Sequence, residues 1–341
     1  MKINKKETKD LLKIISFILV FALLIECLSL TVFSKVKATS YKNKYSEGYS
    51  YKNEPDNSLQ IVGIGNSDLY SAFVPSYLFE KYGYTSTVSS SPKQTVNKSY
   101  EILADVLKKQ NPEIVIIETD MLYDKALGEN KAQRKINLDI IFEYLSPDTF
   151  QEVLEEHLTI FTFHDKWKQI ASKKKKSLIQ NAHGYKYNNN IYHLDKSKYM
   201  IETSQVEEIS KVSLNYLDKM IRLCEQKNIK VILTEMPSIS SWNYERHNAV
   251  DAVAKEYGVP FVDLNLHIDE FGFEFDRDFR DRGNHLNYHG AKKATAFLGD
   301  YISKNYKLDD LRDNEDYSYW IESCKEFKKE IKNKKKRSAK S

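Results

Sequence analysis

The stretch Leu59-Gln-Ile-Val-Gly-Ile-Gly65 decides the fold. It is a short apolar run that ends in a turn, which is the pattern of a buried strand. Similar runs alternate with longer segments of helical periodicity. The predicted strands are 59–65, 84–89, 113–118, 229–235 and 259–263, and the predicted helices are 69–82, 99–109, 202–227, 244–257 and 288–305. This alternation predicts an α/β protein of three layers (α/β/α), with a mainly parallel sheet of about five strands.

The N-terminal segment 14–33 is an apolar run of twenty residues broken by one charge, Glu26. As a helix it would measure about 30 Å, the thickness of the hydrocarbon core of a membrane. Five lysines precede it and fewer follow, which predicts a single-pass anchor with its N-terminus inside and the body outside the cell. A cleaved signal peptide is the alternative, because 36–38 loosely resembles a cleavage site. Glu26 is either a tolerated carboxyl or a group that pairs with another helix.

Composition limits the class of protein. The chain has 341 residues, of which 41% are hydrophobic and 29% charged, so disorder is excluded as the main state. The net charge of +4 is concentrated at the ends: residues 325–341 carry eight Lys and one Arg against two Glu. The body is therefore acidic, which is not typical of a nucleic-acid-binding domain. Three widely spaced cysteines exclude a zinc cluster and a disulfide scaffold.

These observations divide the chain into five parts. They are a basic cytoplasmic N-terminus (1–13), the transmembrane anchor (14–33), a juxtamembrane linker (34–57), an α/β domain (58–310) and a basic C-terminal tail (311–341). An insertion at about 126–200 interrupts the alternation of strands and helices. The run of four lysines in this insertion is typical of a solvated face.

Ser67 follows the first predicted strand, on the tight turn into a helix. In a parallel sheet of this kind the ligand site lies beyond the carboxyl ends of the strands. A serine there can attack a carbonyl carbon if a base removes its proton, and backbone N–H groups at the helix start can stabilise the oxyanion. The simpler interpretation is that Ser67 or Asn66 only caps the helix.

A second candidate group lies before the last helix, in the segment Asp278-Phe-Arg-Asp281-Arg-Gly-Asn-His285. A histidine with an aspartate close upstream can act as a general base and its orienting carboxylate. The alternative is a structural loop in which Asn287 caps the last helix. Topology would bring His285 to the same edge of the sheet as Ser67.

A metal site is a further interpretation of this segment, since Asp281, His285 and His289 recur every four residues. Gly283 and Gly290 interrupt the single helix that would align the three side chains. We therefore predict no metal ion and no cofactor.

Together these motifs resemble the SGNH/GDSL hydrolase superfamily. Gly65-Asn66-Ser67 is similar to its first block, and the segment from Asp281 to His285 is similar to its last block. The likeness is greatest to the membrane-anchored SGNH proteins of Gram-positive bacteria that resemble the D-alanyl-transfer protein DltD. It covers roughly 58–305 and also includes the segments 65–73, 99–103, 116–122, 242–248 and 284–291.

The resemblance implies a flavodoxin-like sheet, with Ser67 as nucleophile, His285 as base and Asp281 as the carboxylate of the triad. It implies a serine esterase or acyltransferase acting on O-linked acetyl or D-alanyl groups of a cell-wall polysaccharide or teichoic acid. The alternatives are a non-catalytic or weakly catalytic partner of a membrane-bound O-acyltransferase, and a polymer-binding module.

The sequence departs from the family pattern in two places. The aspartate stands four residues before the histidine instead of three, with Asp278 as the alternative acid. The usual Gly-x-Asn-Asp block is absent. The candidates for oxyanion or substrate binding are the Ser67 N–H and the side chains of Asn66, Gln94, Asp120, Trp242, His247, Asn248 and Asn287. Simple packing is the alternative for Trp242, and simple exposure for His247.

Overall fold

The structure, a computed structural model, describes residues 5–31, 48–123, 182–196 and 199–338. The chain divides into two units, of which the first comprises Met1–Lys44 and Arg134–Lys176. The described part of this first unit is the helix α1 (Lys5–Thr31). Within α1, twenty residues from Lys9 to Leu28 have a mean hydropathy of 2.6. In length and composition this helix could be a membrane anchor or a signal sequence.

The second unit contains a parallel five-stranded sheet with the strand order β2-β1-β3-β4-β5. Its strands are β1 (Ile61–Gly65), β2 (Ser86–Ser90), β3 (Ile114–Glu118), β4 (Lys230–Glu235) and β5 (Phe261–Asp263). Its helices are α2 (Ser67–Ala72), α3 (Pro75–Tyr82), α4 (Val96–Val106), α5 (Lys211–Glu225), α6 (Tyr244–Tyr257), α7 (Tyr288–Asn305) and α8 (Ser318–Ser338). The predicted α/β class is confirmed.

The segment predicted as one helix over 69–82 is two helices in the structure. Val74 has an extended backbone, with φ −110° and ψ 93°, and Pro75 begins α3. The proline ring disfavours the helical conformation for the residue before it, so α2 ends and the chain turns before α3 begins.

The sheet has a hydrophobic core on each face, because alternate strand residues point to opposite sides. Ile61, Ile116 and Ile232 belong to one cluster of buried residues, and Val62, Ile117 and Leu233 to the other. The first cluster includes residues of α2, α3 and α7, and the second includes residues of α4, α5 and α6. The helices therefore form a layer on each side of the sheet.

The carboxyl ends of the central strands lie level with one another. Glu118, at the end of β3, pairs with Thr234, and Glu235, at the end of β4, pairs with Asp263. The turn after β1 begins at the same edge, since Ile64 pairs with Ile117. The candidate residues after the strands are therefore brought to one edge of the sheet.

The α/β domain extends beyond the predicted limits of 58 and 310. In the predicted linker, Ser50–Asn53 forms a short 3-10 helix and Tyr51 is buried. In the predicted tail, Trp320, Phe327 and Ile331 of α8 are buried in the two cores. Apolar residues spaced seven and four apart lie on one face of a helix, so the lysines between them remain on the other face. Most of the predicted insertion lies outside the described residues.

Candidate active site

Ser67 is the first residue of α2, directly after the end of β1. The helix is capped by Asn66, whose side chain accepts a hydrogen bond of 2.9 Å from the backbone N–H of Asp68. Asn66 therefore does the capping, and the hydroxyl of Ser67 is not needed for it. Gly65 allows the close approach of β3, because a Cβ at this position would lie 2.6 Å from the Cβ of Glu118.

Asp281 and His285 form the closest pair of functional groups at this edge. The distance from Asp281 Oδ2 to His285 Nδ1 is 2.5 Å. The other oxygen, Oδ1, accepts the backbone N–H groups of Asn284 and His285, each at 3.0 Å. Burial opposes the ionisation of Asp281, but these hydrogen bonds and the His285 ring outweigh it and lower its pKa to about 2. Asp281 is therefore a carboxylate that orients the imidazole.

A tight turn explains how the aspartate reaches His285 across four positions. The backbone N–H of Gly283 donates to the carbonyl of Asp281 at 2.7 Å, and Gly283 has a φ of +97°. This left-handed conformation is accessible to glycine without steric cost. The turn folds the chain back, so that the side chain of Asp281 faces the His285 ring.

The alternative acid, Asp278, is paired with a different histidine. Its Oδ1 lies 2.7 Å from His289 Nδ1, and its Oδ2 accepts from Lys293 at 2.8 Å. The metal interpretation required Asp281, His285 and His289 to converge, but they belong to two separate acid–histidine pairs. Lys293 also donates to Glu274 at 2.7 Å, so its ammonium group is paired with both Asp278 and Glu274.

The second nitrogen of the His285 ring, Nε2, lies close to an acidic side chain. Nε2 lies 3.5 Å from Oδ1 of Asp68, the residue after Ser67. In the part of the chain that the structure describes, no hydrogen bond joins the Ser67 hydroxyl to His285. The Tyr70 ring, one turn along α2, is parallel to the imidazole at 6.5 Å between centroids. The roles of Ser67 and His285 as nucleophile and base therefore stay predictions.

Two of the proposed oxyanion donors have their amide groups engaged elsewhere. Asn66 Nδ2 donates to Oδ2 of Asp120 at 2.9 Å. Gln94 Nε2 donates to the carbonyl of Ser89 and to the hydroxyl of Ser99, at 3.2 and 3.0 Å. Both amides therefore bind other groups of the protein. The backbone N–H of Ser67 remains the candidate donor to an oxyanion.

Asp120 is an acceptor in an ion pair. It receives Arg246 Nη1 at 3.2 Å in addition to the amide of Asn66. Arg246 also pairs with Glu207, at 2.9 Å. A carboxylate held by a guanidinium cannot donate to an oxyanion, so Asp120 stabilises the turn after β3.

The predicted substrate-binding residues near α6 and α7 mainly stabilise the fold. Trp242 Nε1 and His247 Nδ1 both bind Asp263 Oδ2, at 2.9 and 2.8 Å. Asn248 Nδ2 donates to the backbone carbonyls of residues 203 and 205. Asn287 caps α7 by accepting from the N–H groups of residues 289 and 290. The packing interpretation of Trp242 and the capping interpretation of Asn287 are supported.

An open groove of about 430 Å³ lies beside these residues. Its walls come from residues 199–203 and from residues 239–246, including Trp242. Ser241, in one wall, donates from its hydroxyl to Oδ2 of Asp68 at 3.2 Å. Ser240, next to it, donates to the Asn284 side chain at 3.2 Å. The groove therefore borders the Asp68 and His285 edge and is a candidate place for a substrate.

Sequence reasoning missed a group of buried carboxyls behind Ser67. Oxygens of Asp68, Glu118 and Glu235 all lie within 4.8 Å of one another. Glu118 accepts the backbone N–H groups of Asn66 and Asp120, at 2.9 and 2.7 Å. Burial, together with the nearby charges of Asp120 and Asp68, raises the pKa of Glu118 well above its usual value. Acidic residues at three strand ends were the available signal.

Comparison with known proteins adds a likeness to solved structures. The chain is 13% identical to the lipase/acylhydrolase from Enterococcus faecalis, with 74% of this chain and 98% of that chain covered and a TM-score of 0.39. It is 14% identical to a GDSL-like lipase from Bacteroides thetaiotaomicron, with 80% of this chain and 98% of that chain covered and a TM-score of 0.35. It is 13% identical to the acetyl xylan esterase AlAXEase, with 72% of this chain and 98% of that chain covered and a TM-score of 0.36. Neither a protein-family model nor a curated protein sequence matches the chain.

Proposed function

We propose that this protein is a serine esterase or acyltransferase of the SGNH type, with Ser67, His285 and Asp281 as its catalytic residues. The observation that carries the proposal is the Asp281–His285 pair, which lies beside α2 at the edge of the sheet where Ser67 begins that helix. An ionised aspartate on Nδ1 fixes the ring tautomer that leaves Nε2 free to accept a proton.

The proposed reaction has two halves. Ser67 Oγ attacks the carbonyl carbon of an ester while His285 Nε2 takes the hydroxyl proton, and the Ser67 N–H stabilises the oxyanion. The carbon–oxygen bond to the leaving group then breaks, and His285 returns the proton to the leaving alkoxide. The acyl group stays on Ser67 until water or a sugar hydroxyl attacks it, with His285 again as the base. The Asp281 carboxylate stabilises the imidazolium in both halves.

The direct test is labelling with a fluorophosphonate probe and the hydrolysis of a p-nitrophenyl acetate substrate. We expect the wild-type protein to be labelled and active, and Ser67→Ala to lose both properties. Ser303→Ala is the matched control, since this serine is exposed on α7 and its hydroxyl donates to the carbonyl of Asp300 in the same helix. Labelling that persists in Ser67→Ala would refute the assignment of the nucleophile.

A second candidate function is a non-catalytic partner of a membrane-bound O-acyltransferase, or a polymer-binding module. It is favoured by the orientation of His285 Nε2 toward Asp68 and by the engaged amides of Asn66 and Gln94. For such a protein, Ser67→Ala would retain the cellular phenotype of the wild type, and no probe would react with Ser67.

We further propose that the substrate is an O-acetyl or O-D-alanyl group on a cell-envelope polysaccharide or teichoic acid. Support comes from the resemblance to membrane-anchored SGNH proteins and from the apolar helix α1. Incubation of the protein with isolated cell walls, followed by mass spectrometry of released acetate and D-alanine, identifies the acyl group. The absence of both products, with an active ester hydrolase, would exclude this substrate class.

We propose an extracellular body held by an uncleaved α1. Protease added to intact cells is expected to digest residues 45–341 and leave a short membrane-bound stub. Mass determination of the mature N-terminus distinguishes an anchor from a cleaved signal sequence. Protection of the body in intact cells would refute the outside location.

A further inference from the structure

His285 lies between two carboxyl side chains that are more than two hundred residues apart in the sequence, Asp68 and Asp281. Asp281 binds Nδ1 at 2.5 Å, and Asp68 Oδ1 lies 3.5 Å from Nε2. Asp281 belongs to the same turn as His285, whereas Asp68 is carried by α2, directly after Ser67. The nitrogen that a serine-type mechanism needs as its base therefore has a buried acid beside it.

Asp68 is held in place from the groove side as well. The Ser241 hydroxyl donates to its Oδ2 at 3.2 Å, and only 2% of the residue is exposed. This hydrogen bond and the neighbouring imidazole give the carboxylate two stabilising partners. Asp68 is therefore held beside the ring by a hydrogen bond from the segment that carries Ser241.

Glu235, one of the two buried acids near Asp68, has a hydroxyl group as its partner. The Thr119 hydroxyl lies 2.7 Å from Glu235 Oε2 and 3.2 Å from the carbonyl of Thr234. One hydroxyl hydrogen can serve only one of these acceptors, so a neutral Glu235 acid can donate to Thr119 while Thr119 donates to Thr234. Burial, reinforced by the charge of Glu118, also raises the pKa of Glu235 well above its usual value.

Two protonation states of His285 have different partners at Nε2. In the neutral ring, Nε2 is an acceptor, and the Asn284 amide nitrogen lies 3.3 Å from it. In the imidazolium, Nε2 carries a proton and faces the Asp68 carboxylate at 3.5 Å. The imidazolium cannot accept the Ser67 proton, so Nε2 must lose this contact and its proton before it can act as the base.

We propose that Asp68 is a positioning residue for His285: it holds the ε-nitrogen in the substrate-free protein and competes with Ser67 for it. The inference rests on the proposed function, because a base is needed only if Ser67 is a nucleophile. Asp68 takes no part in bond formation. Its effect is exerted through the charge state and orientation of His285.

Other charged and titratable groups surround this arrangement without replacing Asp68. Arg280 Nε lies 3.8 Å from Asp281, and Lys186 lies 4.9 Å from the Tyr70 ring that faces the imidazole. Burial raises the pKa of the Tyr70 phenol, which therefore stays neutral in the physiological range. Around His285 lie Asp281 from its own loop and Tyr70 from α2, and Arg280 and Lys186 lie over the Tyr70 ring. Beside Asp68 lie the carboxyls of Glu118 and Glu235, at the strand ends.

The experiment compares the pH dependence of kcat/KM for wild type and Asp68→Asn with a p-nitrophenyl ester. Removal of the charge is expected to move the midpoint of the acidic limb to lower pH by about one unit or more. Asp276→Asn, an exposed aspartate in the loop before Asp278, is the control and should leave the midpoint unchanged. An unchanged midpoint in active Asp68→Asn would overturn the inference while leaving the proposed function intact.

Two further measurements keep the test decisive. Ser241→Ala removes a donor from Asp68 but keeps its charge, so the midpoint should move in the opposite direction, to higher pH. This variant decides the question if Asp68→Asn does not fold, and a midpoint identical to wild type would count against the inference. NMR titration of the His285 ring needs no activity. If Asp68→Asn changes the titration midpoint of the His285 ring while the wild-type protein hydrolyses no ester, the contact is supported and the proposed function is refuted.

Discussion

The imidazole of His183 is stacked on the indole of Trp320, with 3.8 Å between ring centroids and 11° between planes. The same imidazole binds Glu54 through Nδ1 at 2.7 Å and the Ser323 hydroxyl through Nε2 at 2.8 Å. Trp320 and Ser323 belong to α8. The C-terminal helix is therefore fixed to the domain by specific contacts near its beginning.

The first prediction is that α8 contributes to stability beyond these contacts. Phe327 is 1% exposed and contacts the rings of Tyr185 and Tyr288. Phe327→Ala should lower the free energy of unfolding by about 3–5 kcal/mol, because it leaves a cavity in the core. Urea denaturation measures this, with exposed Lys329→Ala as the control. Equal stability of the two variants would show that α8 is dispensable for the fold.

The second prediction concerns the exposed lysines of α8. The triple variant Lys325→Gln, Lys329→Gln and Lys332→Gln should bind less to isolated anionic cell walls, with a weaker dependence on salt. These side chains are exposed, so unfolding should be unaffected. Binding is measured by co-sedimentation between low and physiological salt. Substitution is preferable to deletion of 325–341, which would also remove Phe327 and Ile331 from the core. Unchanged binding at low salt would reject an electrostatic tether.

The third prediction separates the two acid–histidine pairs. Asp281→Asn should reduce kcat for ester hydrolysis by up to about 10⁴-fold, because the ring loses the carboxylate that fixes its tautomer. Asp278→Asn should change thermal stability more than kcat, because Asp278 binds His289 and Lys293. Steady-state kinetics and thermal unfolding of both variants provide the comparison. A larger loss of kcat in Asp278→Asn would make Asp278 the acid of the triad.

Asp281 should also contribute to the pH dependence of stability. Its pKa is lowered to about 2 in the folded protein, from a usual value of 3.8. The stabilisation is therefore complete above the usual value and is lost as the pH falls toward 2. Acid unfolding of Asp281→Asn should lack this component, and an identical acid transition in both proteins would contradict the assignment.

The fourth prediction concerns the buried Glu235. Because its pKa is raised in the folded protein, the neutral form is favoured, and stability is lost as the pH rises through the folded value. Glu235→Gln keeps a donor for Thr119 and cannot ionise, so it should resist alkaline unfolding better than wild type. Exposed Glu256→Gln is the control. Equal alkaline midpoints would contradict a raised pKa of Glu235 in the folded protein.

Much of the sheet and several helices could be predicted from the sequence, since strand runs such as Glu113–Glu118 and the caps of α6 and α7 are local signals. The two limits of the domain could not be predicted, because Tyr51 and Phe327 become buried only through contacts with segments that are distant in the sequence. For the site, the pairing of Asp281 with His285 was predicted from spacing and resemblance. The contact between His285 and Asp68 was not predicted, because it depends on how α2 and the turn before α7 pack together at the edge of the sheet.

The strand order has a consequence for how the protein reaches its folded state. Among the first three strands, between Ile61 and Glu118, β1 pairs with both β2 and β3, and these pairings need only short crossovers. β4 can join β3 only after the long connection from 119 to 229 has closed, and His285 follows later still. Closing long loops before non-local contacts form slows folding. We therefore expect refolding in which the edge that carries Ser67 forms early, while the imidazole arrives in the last and slowest phase.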